Sequence, residues 1–152
     1  MKKLIIDCDP GHDDVIASLI ALAHPLDFDI LGFTTVCGNN TLKKVTNNIL
    51  KVQDFLGLHI PVSAGASTPL KRKPEPQPLA HGKSGMDGPN LKRATSTPIR
   101  LSAVEFIKKN IKHLINQTNE KFPIYLFYRT DKTNKKYIYL GEIEYVGHDV
   151  HK

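Results

Sequence analysis

The chain has 152 residues, of which 40% are hydrophobic and 24% are charged, and its formal net charge is +6. These values are typical of a globular domain with a buried core, and no apolar run approaches the ~20 residues that a membrane span needs. The basic residues are scattered along the chain, which argues against nucleic acid as a partner. The short apolar run near the N-terminus leads into acidic residues, unlike a signal peptide. We therefore expect a cytoplasmic protein whose two cysteines are reduced thiols.

The first part of the chain alternates between strand and helix patterns. Strands are predicted at 3–8, 28–36 and 60–62, where short apolar runs stop at glycine, proline or asparagine. Helices are predicted at 12–23 and 41–56, and the first of these is apolar on almost all sides, as expected of a helix packed on a sheet. This alternation predicts βαβ units and a partial, parallel Rossmann-like core, so the fold class is α/β.

A long segment without periodicity follows these units. Residues 64–100 are rich in proline and glycine, and a loop of this length in a compact domain is usually functional or disordered. A further helix is predicted to begin at Ser102, which forms a capping box with Glu105. Apolar residues at helical spacing after Glu105 give this helix one apolar face.

The composition changes after about residue 117, because all five tyrosines lie in this last part. Two segments rich in β-branched and aromatic residues, 122–129 and 136–146, flank a cluster of turn residues. This pattern predicts a C-terminal β-hairpin instead of another βα unit. We therefore divide the chain into a domain at 1–117 and a hairpin tail at 118–152.

Four carboxylates follow the first predicted strand within eight residues. Asp7 and Asp9 lie at the strand end, and Asp13 and Asp14 open the next helix after a Pro-Gly turn. Ligands of open α/β sheets bind beyond the carboxyl ends of the strands. Clustered carboxylates repel unless a proton or cation joins them, and hard oxygen ligands favour Ca²⁺ or Mg²⁺ over zinc. The simpler interpretation is that Asp13 and Asp14 merely cap the helix while Asp7 is solvated.

Three motifs carry a resemblance to a known family. Residues 7–14 (DCDPGHDD) resemble the N-terminal signature of the inosine-uridine-preferring nucleoside hydrolases. Residues 34–41 (TTVCGNNT) and 81–89 (HGKSGMDGP) resemble the second and third loops of the same family. The motifs occur in the family's order, and the resemblance covers about residues 1–115. It implies hydrolysis of the N-glycosidic bond of ribonucleosides in purine or pyrimidine salvage.

The resemblance also implies roles for the acidic residues. Asp9 and Asp14 match positions that hold Ca²⁺, which lowers the pKa of a bound water. Asp9 also matches the general base that takes a proton from that water, and is therefore the predicted catalytic residue. Asp7 is predicted to support the site by hydrogen bonding to its neighbours.

Three further residues are predicted to contact the ribonucleoside substrate. Asp13 matches the residue that holds the ribose hydroxyls, and Asn39 matches a residue that assists it. His81 lies in the loop that approaches the base in this family, with a surface loop histidine as the alternative interpretation. His12, inside the first motif, is predicted to face solvent at the start of its helix.

Family members are longer than this chain, and their second half supplies further metal, ribose and base contacts. The resemblance therefore predicts a truncated nucleoside hydrolase with weak activity or none. One alternative is a non-catalytic remnant or binding module that keeps affinity for ribose or metal. Another is a phosphotransferase of the haloacid dehalogenase type, which also places Asp-x-Asp after its first strand. Uncovered apolar edges of such a partial sheet predict marginal stability or a homo-oligomer.

Overall fold

The computed structural model describes residues 1–115, 124–128 and 138–143, and describes side chains up to residue 110. None of the helices in these ranges is both long enough and apolar enough to cross a bilayer. Strands and helices alternate from the N-terminus, as the sequence pattern predicts. The elements in chain order are β1 (Lys2–Cys8), α1 (His12–Leu22), β2 (Phe28–Thr35), α2 (Leu42–Phe55), β3 (Val62–Ala64), α3 (Pro78–His81), α4 (Ala103–Ile115), β4 (Ile124–Tyr128) and β5 (Ile138–Ile143).

The first three strands form one parallel sheet in the order β1-β2-β3. Helix α1 connects β1 to β2 and helix α2 connects β2 to β3, which are the crossovers that parallel neighbours need. Asp7 lies opposite Thr34 in this register, so the carboxyl ends of β1 and β2 meet at one edge. The prediction of an α/β fold with a parallel sheet is confirmed.

The core lies between the sheet and α2. Phe33 on β2 and Val62 on β3 are almost completely buried, as are Val45 and Ile49 on α2. The spacing of the α2 residues places them on one face, which explains why the helical pattern of this segment is clear in the sequence. This packing holds the carboxyl edge of the sheet at a defined place next to the N-terminus of α2.

One strand differs from its prediction, and one helix is less buried than its apolar composition suggests. Strand β3 begins at Val62 and not at residue 60, because Pro61 has no N–H to donate, although its carbonyl accepts the N–H of Phe33 at 2.8 Å. Helix α1 is not packed on all sides, since Ile16 and Ile20 are each 57% exposed. Only one face of α1 meets the sheet, so its apolar composition overstates its burial.

The segment after β3 is long but is tied to the domain at several points. The N–H of Ile99 donates to the carbonyl of Val62 at 2.8 Å. The Asp54 carboxylate accepts the N–H groups of Thr95 and Ser96 at 2.6 and 3.0 Å, and these hydrogen bonds lower the pKa of Asp54. The long loop is therefore an ordered part of the fold, with the short helix α3 inside it.

Helix α4 begins as predicted, immediately after Ser102. The Ser102 N–H donates to the Glu105 carboxylate at 2.9 Å and the Glu105 N–H donates to Ser102 Oγ at 3.3 Å, which confirms the capping box. One turn into the helix, the buried Phe106 ring occupies the space where a side chain at Gly32 of β2 would lie. The absence of a side chain at Gly32 therefore makes room for the Phe106 ring, which packs α4 against β2.

Replacement of Phe106 by alanine is expected to destabilise the protein by about 3–5 kcal/mol, because a large buried ring leaves a cavity against Gly32. Urea denaturation of the variant measures this loss. Val104→Ala on the same helix is the matched control, since Val104 is 59% exposed and its truncation should be nearly neutral. Similar losses in both variants would mean that α4 is not anchored through its phenylalanine.

The chain divides into two compact units, Met1–Ile111 and Lys112–Lys152. In the second unit β4 and β5 pair in antiparallel fashion, with Ile124 opposite Ile143. Residues 129–137, which would form the turn of the predicted hairpin, lie outside the described residues, as do residues 116–123 around the predicted boundary at 117. The hairpin tail and that boundary stay predictions.

Candidate active site

Asp7 and Asp9 stand at the end of β1, where the sheet edge meets the loop that follows β2. Asp7 is exposed and its Oδ1 accepts a hydrogen bond from Thr34 Oγ1 at 2.5 Å across the strand pair. Thr34 is fully buried, so the hydroxyl has a defined direction. Asp7 is therefore held against β2, which is compatible with the supporting role predicted for it.

The Asp9 carboxylate is held by the loop after β2. The N–H of Asn39 donates to Asp9 Oδ2 at 2.6 Å, and the Asn39 side-chain amide donates to the Asp9 carbonyl at 2.9 Å. Gly38 lies so close that a Cβ at this position would overlap Asp9 Oδ2. Asn39 thus contacts Asp9 on two sides, which leaves its amide oxygen as the atom that could reach a substrate.

Asp14, in the first turn of α1, faces Asp9. The Asp9 N–H donates to Asp14 Oδ2 at 3.1 Å, which brings the two acidic residues together. Burial, followed by the negative charges of Asp9 and Asp13, raises the pKa of Asp14 from 3.8 to about 7. Two carboxylates this close favour a shared proton or a cation between them.

The Asp14→Asn variant is expected to be more stable than the native chain near about pH 8 without divalent cations. The Asp14 pKa rises from 3.8 to about 7 on folding, so the native chain loses stability progressively as the pH rises from 3.8 to about 7. Asparagine does not ionise and keeps an oxygen for the Asp9 N–H. The gain should be on the order of 1–2 kcal/mol after discounting solvent screening.

Urea denaturation of both proteins in chelator, near about pH 5 and about pH 8, measures this difference. The advantage of the variant should be smaller at the lower pH, because the native chain loses only part of this stability between the unfolded pKa of 3.8 and about pH 5. An equal advantage of the variant at both pH values would contradict the raised pKa of Asp14.

The donor set at this edge consists of hard oxygens. Asp9 and Asp14 offer converging carboxylates, and the exposed Asp13 carboxylate stands beside them. Within the part of the chain that the structure describes, no group of three or more His, Cys, Asp or Glu side chains is arranged to hold a metal ion. These carboxylate oxygens are the type of ligand that Ca²⁺ prefers. Because Ca²⁺ takes about six to eight oxygens, the remaining ligands would be water, substrate or other groups.

The third motif lies over the start of α1. A Cβ at Gly11 would stand 2.7 Å from His81 Nδ1 and 2.8 Å from Asn39 Nδ2, so His81 and Asn39 both line the Pro10–Gly11 turn. His12 is half-buried and its ring contacts His81, with 3.4 Å between the two Nδ1 atoms. The prediction that His12 faces solvent is therefore wrong. Packing by the distant loop at residue 81 covers it, which helical periodicity alone does not reveal.

Two asparagines on or beside α2 tie the motifs together, and the sequence interpretation missed both. Asn48 is 1% exposed, and its side-chain amide donates to the carbonyls of Pro10 and Ser84 at 3.1 and 3.2 Å. Asn40 donates in the same way to the carbonyl of Lys83 at 3.3 Å. Asn48 interrupts the apolar face of α2, and a polar residue on such a face is the signal that could have identified it.

The structure therefore brings together Asp9, Asp14, Asn39 and His81, with the exposed Asp13 beside them and Asp7 two residues before Asp9. Cys8 lies between these acids but is buried, and burial with the nearby carboxylates raises its thiol pKa, so it is an inert thiol. The arrangement offers a carboxylate pair for a cation, oxygens for hydroxyl donors and the imidazole of His81 beside the Pro10–Gly11 turn.

Comparisons with known proteins identify the family of the chain. A family model described as inosine-uridine preferring nucleoside hydrolase matches residues 4–129. A pyrimidine-specific ribonucleoside hydrolase, RihA, of Shewanella baltica is 43% identical over 112 residues, which are 73% of this chain and 35% of that protein. RihB of Escherichia coli O9:H4, also pyrimidine-specific, is 43% identical over 106 residues, or 70% of this chain and 34% of that protein.

Solved structures similar to this chain are also nucleoside hydrolases. A purine-preferring ribonucleoside hydrolase from Gardnerella vaginalis superimposes with a TM-score of 0.62 at 28% identity, covering 73% of this chain and 36% of that one. The chain thus spans about a third of the length of the relatives that it matches. The three motifs, their meeting at one sheet edge and the family match have one explanation: the chain belongs to the inosine-uridine preferring nucleoside hydrolase family.

Proposed function

We propose that this chain hydrolyses the N-glycosidic bond of ribonucleosides to ribose and a free base, using a Ca²⁺ ion held by Asp9 and Asp14. The observation that carries the proposal is the contact of these two residues at the sheet edge, where the Asp9 N–H donates to Asp14 Oδ2 and the charge of Asp9 helps to raise the Asp14 pKa. A cation held between two such carboxylates would stabilise both. Family membership supports ribonucleosides as the substrate class. When bound, Ca²⁺ would orient a water and lower its pKa.

The residues at the edge have distinct roles in this proposal. Asp9 takes the proton of the attacking water, and its orientation is set by the two hydrogen bonds to Asn39. Water adds to the anomeric carbon as the bond to the base breaks, and the leaving base takes the electron pair and a proton. Asp13, exposed at the rim, accepts hydrogen bonds from the ribose hydroxyls. His81 contacts the substrate from the opposite loop.

A second candidate is binding of ribose and Ca²⁺ without turnover. It is favoured by one observation: among the described residues no set of three or more acidic, histidine or cysteine side chains forms a metal centre. Two carboxylates plus water would hold Ca²⁺ weakly, since affinity follows the number of ligands and the rigidity of the site. The haloacid dehalogenase-type alternative is not supported by the family match.

Ribose release from uridine and from inosine, with Ca²⁺ and with a chelator, tests the proposal. The two substrates are needed because the relatives named above include pyrimidine-specific and purine-preferring enzymes. Release that requires Ca²⁺ supports hydrolysis. Ca²⁺-dependent binding of uridine or inosine in a titration, with no release of ribose, would overturn hydrolysis in favour of the binding module.

The size of the native chain in solution tests the remaining proposal on partners, that the chain self-associates. Ile16, Leu19 and Ile20 of α1 are exposed apolar residues in the described part of the chain. Sedimentation at several protein concentrations should show a dimer or larger species. A monomer at all concentrations would contradict self-association.

A further inference from the structure

Two histidines join the third motif to the start of α1. His12 Nε2 lies 2.7 Å from the carbonyl oxygen of Asp87, and His12 Nδ1 lies 3.4 Å from His81 Nδ1. The three groups form a chain of contacts that begins at a backbone carbonyl and ends at the ring of His81. The sequence separations are 75 and 69 residues, so only the fold assembles this chain.

The contact between the two rings is edge to edge. The ring centroids are 5.6 Å apart and the planes are inclined by 20°. The Nδ1 atoms are closer than the centroids by about the sum of two ring radii, so both nitrogens lie near the line that joins the rings. A proton on one nitrogen therefore points at the lone pair of the other, which is the geometry of an N–H···N hydrogen bond and not of face stacking.

The direction of the hydrogen bond between the two rings follows from the other contact of His12, the one with the Asp87 carbonyl. A backbone carbonyl can only accept, so His12 Nε2 carries the proton that is donated to Asp87. A neutral imidazole has one N–H, which leaves His12 Nδ1 as an acceptor. The proton between the rings must then belong to His81 Nδ1, and His81 Nε2 is left as a bare acceptor.

We propose that His12 is a positioning residue that holds His81 in its Nδ1–H tautomer, so that His81 Nε2 accepts a hydrogen bond from an N–H or O–H group of the ribonucleoside. His81 is then an acceptor toward the substrate in the ground state and does not donate to it. The identity of the ligand rests on the proposed function, whereas the tautomer assignment rests on the geometry alone. Donors of this class are ribose hydroxyls and base N–H groups.

The loop that carries His81 is built to keep the Asp87 carbonyl in place. The Asp87 N–H donates to the His81 carbonyl at 3.1 Å, and the Asp87 carboxylate accepts the N–H groups of Lys83 and Ser84 at 2.8 and 2.9 Å. Gly82 has φ of 76° and no room for a Cβ beside the Asp87 carboxyl group. Asp87 thus closes the loop with its carboxylate and accepts the hydrogen bond of His12 with its backbone carbonyl.

Long-range ¹H–¹⁵N correlation spectra of the ¹⁵N-histidine-labelled chain test the tautomers, because protonated and bare ring nitrogens differ widely in chemical shift. Near about pH 8.5, above the usual histidine pKa, His12 should be the Nε2–H tautomer and His81 the Nδ1–H tautomer. His24 is an internal control, since its Nδ1 lies 2.7 Å from the carbonyl of Ile20 and must be protonated. An Nε2–H signal for His81 in the free protein overturns the inference.

Two substitutions separate the contacts of His12. In His12→Gln the amide nitrogen can still donate to the Asp87 carbonyl, but no acceptor remains at the place of Nδ1 to receive the N–H of His81. In His12→Asn the amide oxygen takes the place of Nδ1 and can accept from His81, but the Asp87 contact is lost. We expect the glutamine variant to lose the single Nδ1–H tautomer of His81 and the asparagine variant to keep it.

His24 should keep its signal in both variants, which shows that the fold persists. Loss of the His81 tautomer in both variants alike, with His24 unchanged, would mean that the Asp87 loop and not the acceptor atom is responsible, and would overturn the positioning role. Retention of the tautomer in both would overturn it as well.

Titrations of the labelled protein with uridine, inosine and free ribose, each with Ca²⁺, identify the donor. A shift of the His81 Nε2 signal with ribose assigns a hydroxyl donor, and a shift with a nucleoside only assigns the base. A proton gained by Nε2 would overturn the acceptor role. If no ligand shifts it while the free tautomers are as stated, the acceptor role fails and the tautomer assignment stands. The binding titration and the ribose-release assay then show separately whether the proposed function fails as well.

Discussion

Replacement of Asp9 by asparagine is expected to lower the rate of ribose release by about 10³-fold, within the range of general-base contributions. The amide cannot take a proton from water, yet its oxygen can still accept the N–H of Asn39, which Asp9 Oδ2 accepts at 2.6 Å in the native chain. The fold should therefore survive, and the loss should appear in kcat more than in the stability of the protein. Steady-state release of ribose from the better of uridine and inosine measures it.

Asp27→Asn is the matched control for this variant. Asp27 is exposed and precedes β2, at the end of the sheet away from the carboxyl edge. Its replacement therefore removes the same charge without touching the site. Calorimetric titration with Ca²⁺ is the second readout, since Asp9 is a proposed ligand and its loss should weaken Ca²⁺ binding. Native-like turnover in Asp9→Asn would remove Asp9 from the role of base.

Gly38→Ala should lower turnover by about 10²-fold, the loss that a misplacement of about 1 Å can cause at a catalytic group. A Cβ at this position overlaps Asp9 Oδ2, so the carboxylate must move away from Asn39 and Asp14. Gly38 has no positive φ, and the effect is therefore one of space and not of backbone strain. Ca²⁺ affinity should fall together with the rate.

Gly57→Ala separates this effect from a general loss of stability. Gly57 follows α2 with φ of 68°, and nothing lies within 4 Å of a Cβ there, so alanine strains the backbone far from the site. We expect Gly57→Ala to unfold at lower urea but to keep full activity per folded molecule, whereas Gly38→Ala should lose activity at native-like stability. Full activity in Gly38→Ala would refute the close packing of Gly38 on Asp9.

The fold could be predicted in large part because its local signals agree with one another. The α2 residues Val45, Ile49 and Val52 recur at helical spacing and are buried, and Ser102 with Glu105 forms a cap within four consecutive residues. Short-range patterns of this kind depend on neighbours in the chain. The apolar residues of α1 show the limit of such patterns, because composition does not tell which face of the helix the sheet covers.

The candidate site also has a part that local sequence patterns predict and a part that they do not. The four acids of residues 7–14 could be recognised from their spacing alone, and a strand end followed by a helix start places them at a ligand-binding edge. The pairing of Asp9 with Asp14 follows from that turn. The hydrogen bonds of Asn39 to Asp9, and of Asn48 to Pro10 and Ser84, join residues 30 to 38 positions apart. No local sequence pattern specifies them.

The sequence by itself determined the family, the βαβ order and the identity of the acids, since these depend on motifs and periodicities that are contiguous in the chain. Only the tertiary structure decided that His12 meets His81, that Asp87 receives His12 and that Gly38 leaves room for Asp9. Hydrogen-bond direction and free space are properties of atoms brought close by folding, and they depend on distances that the order of residues does not state.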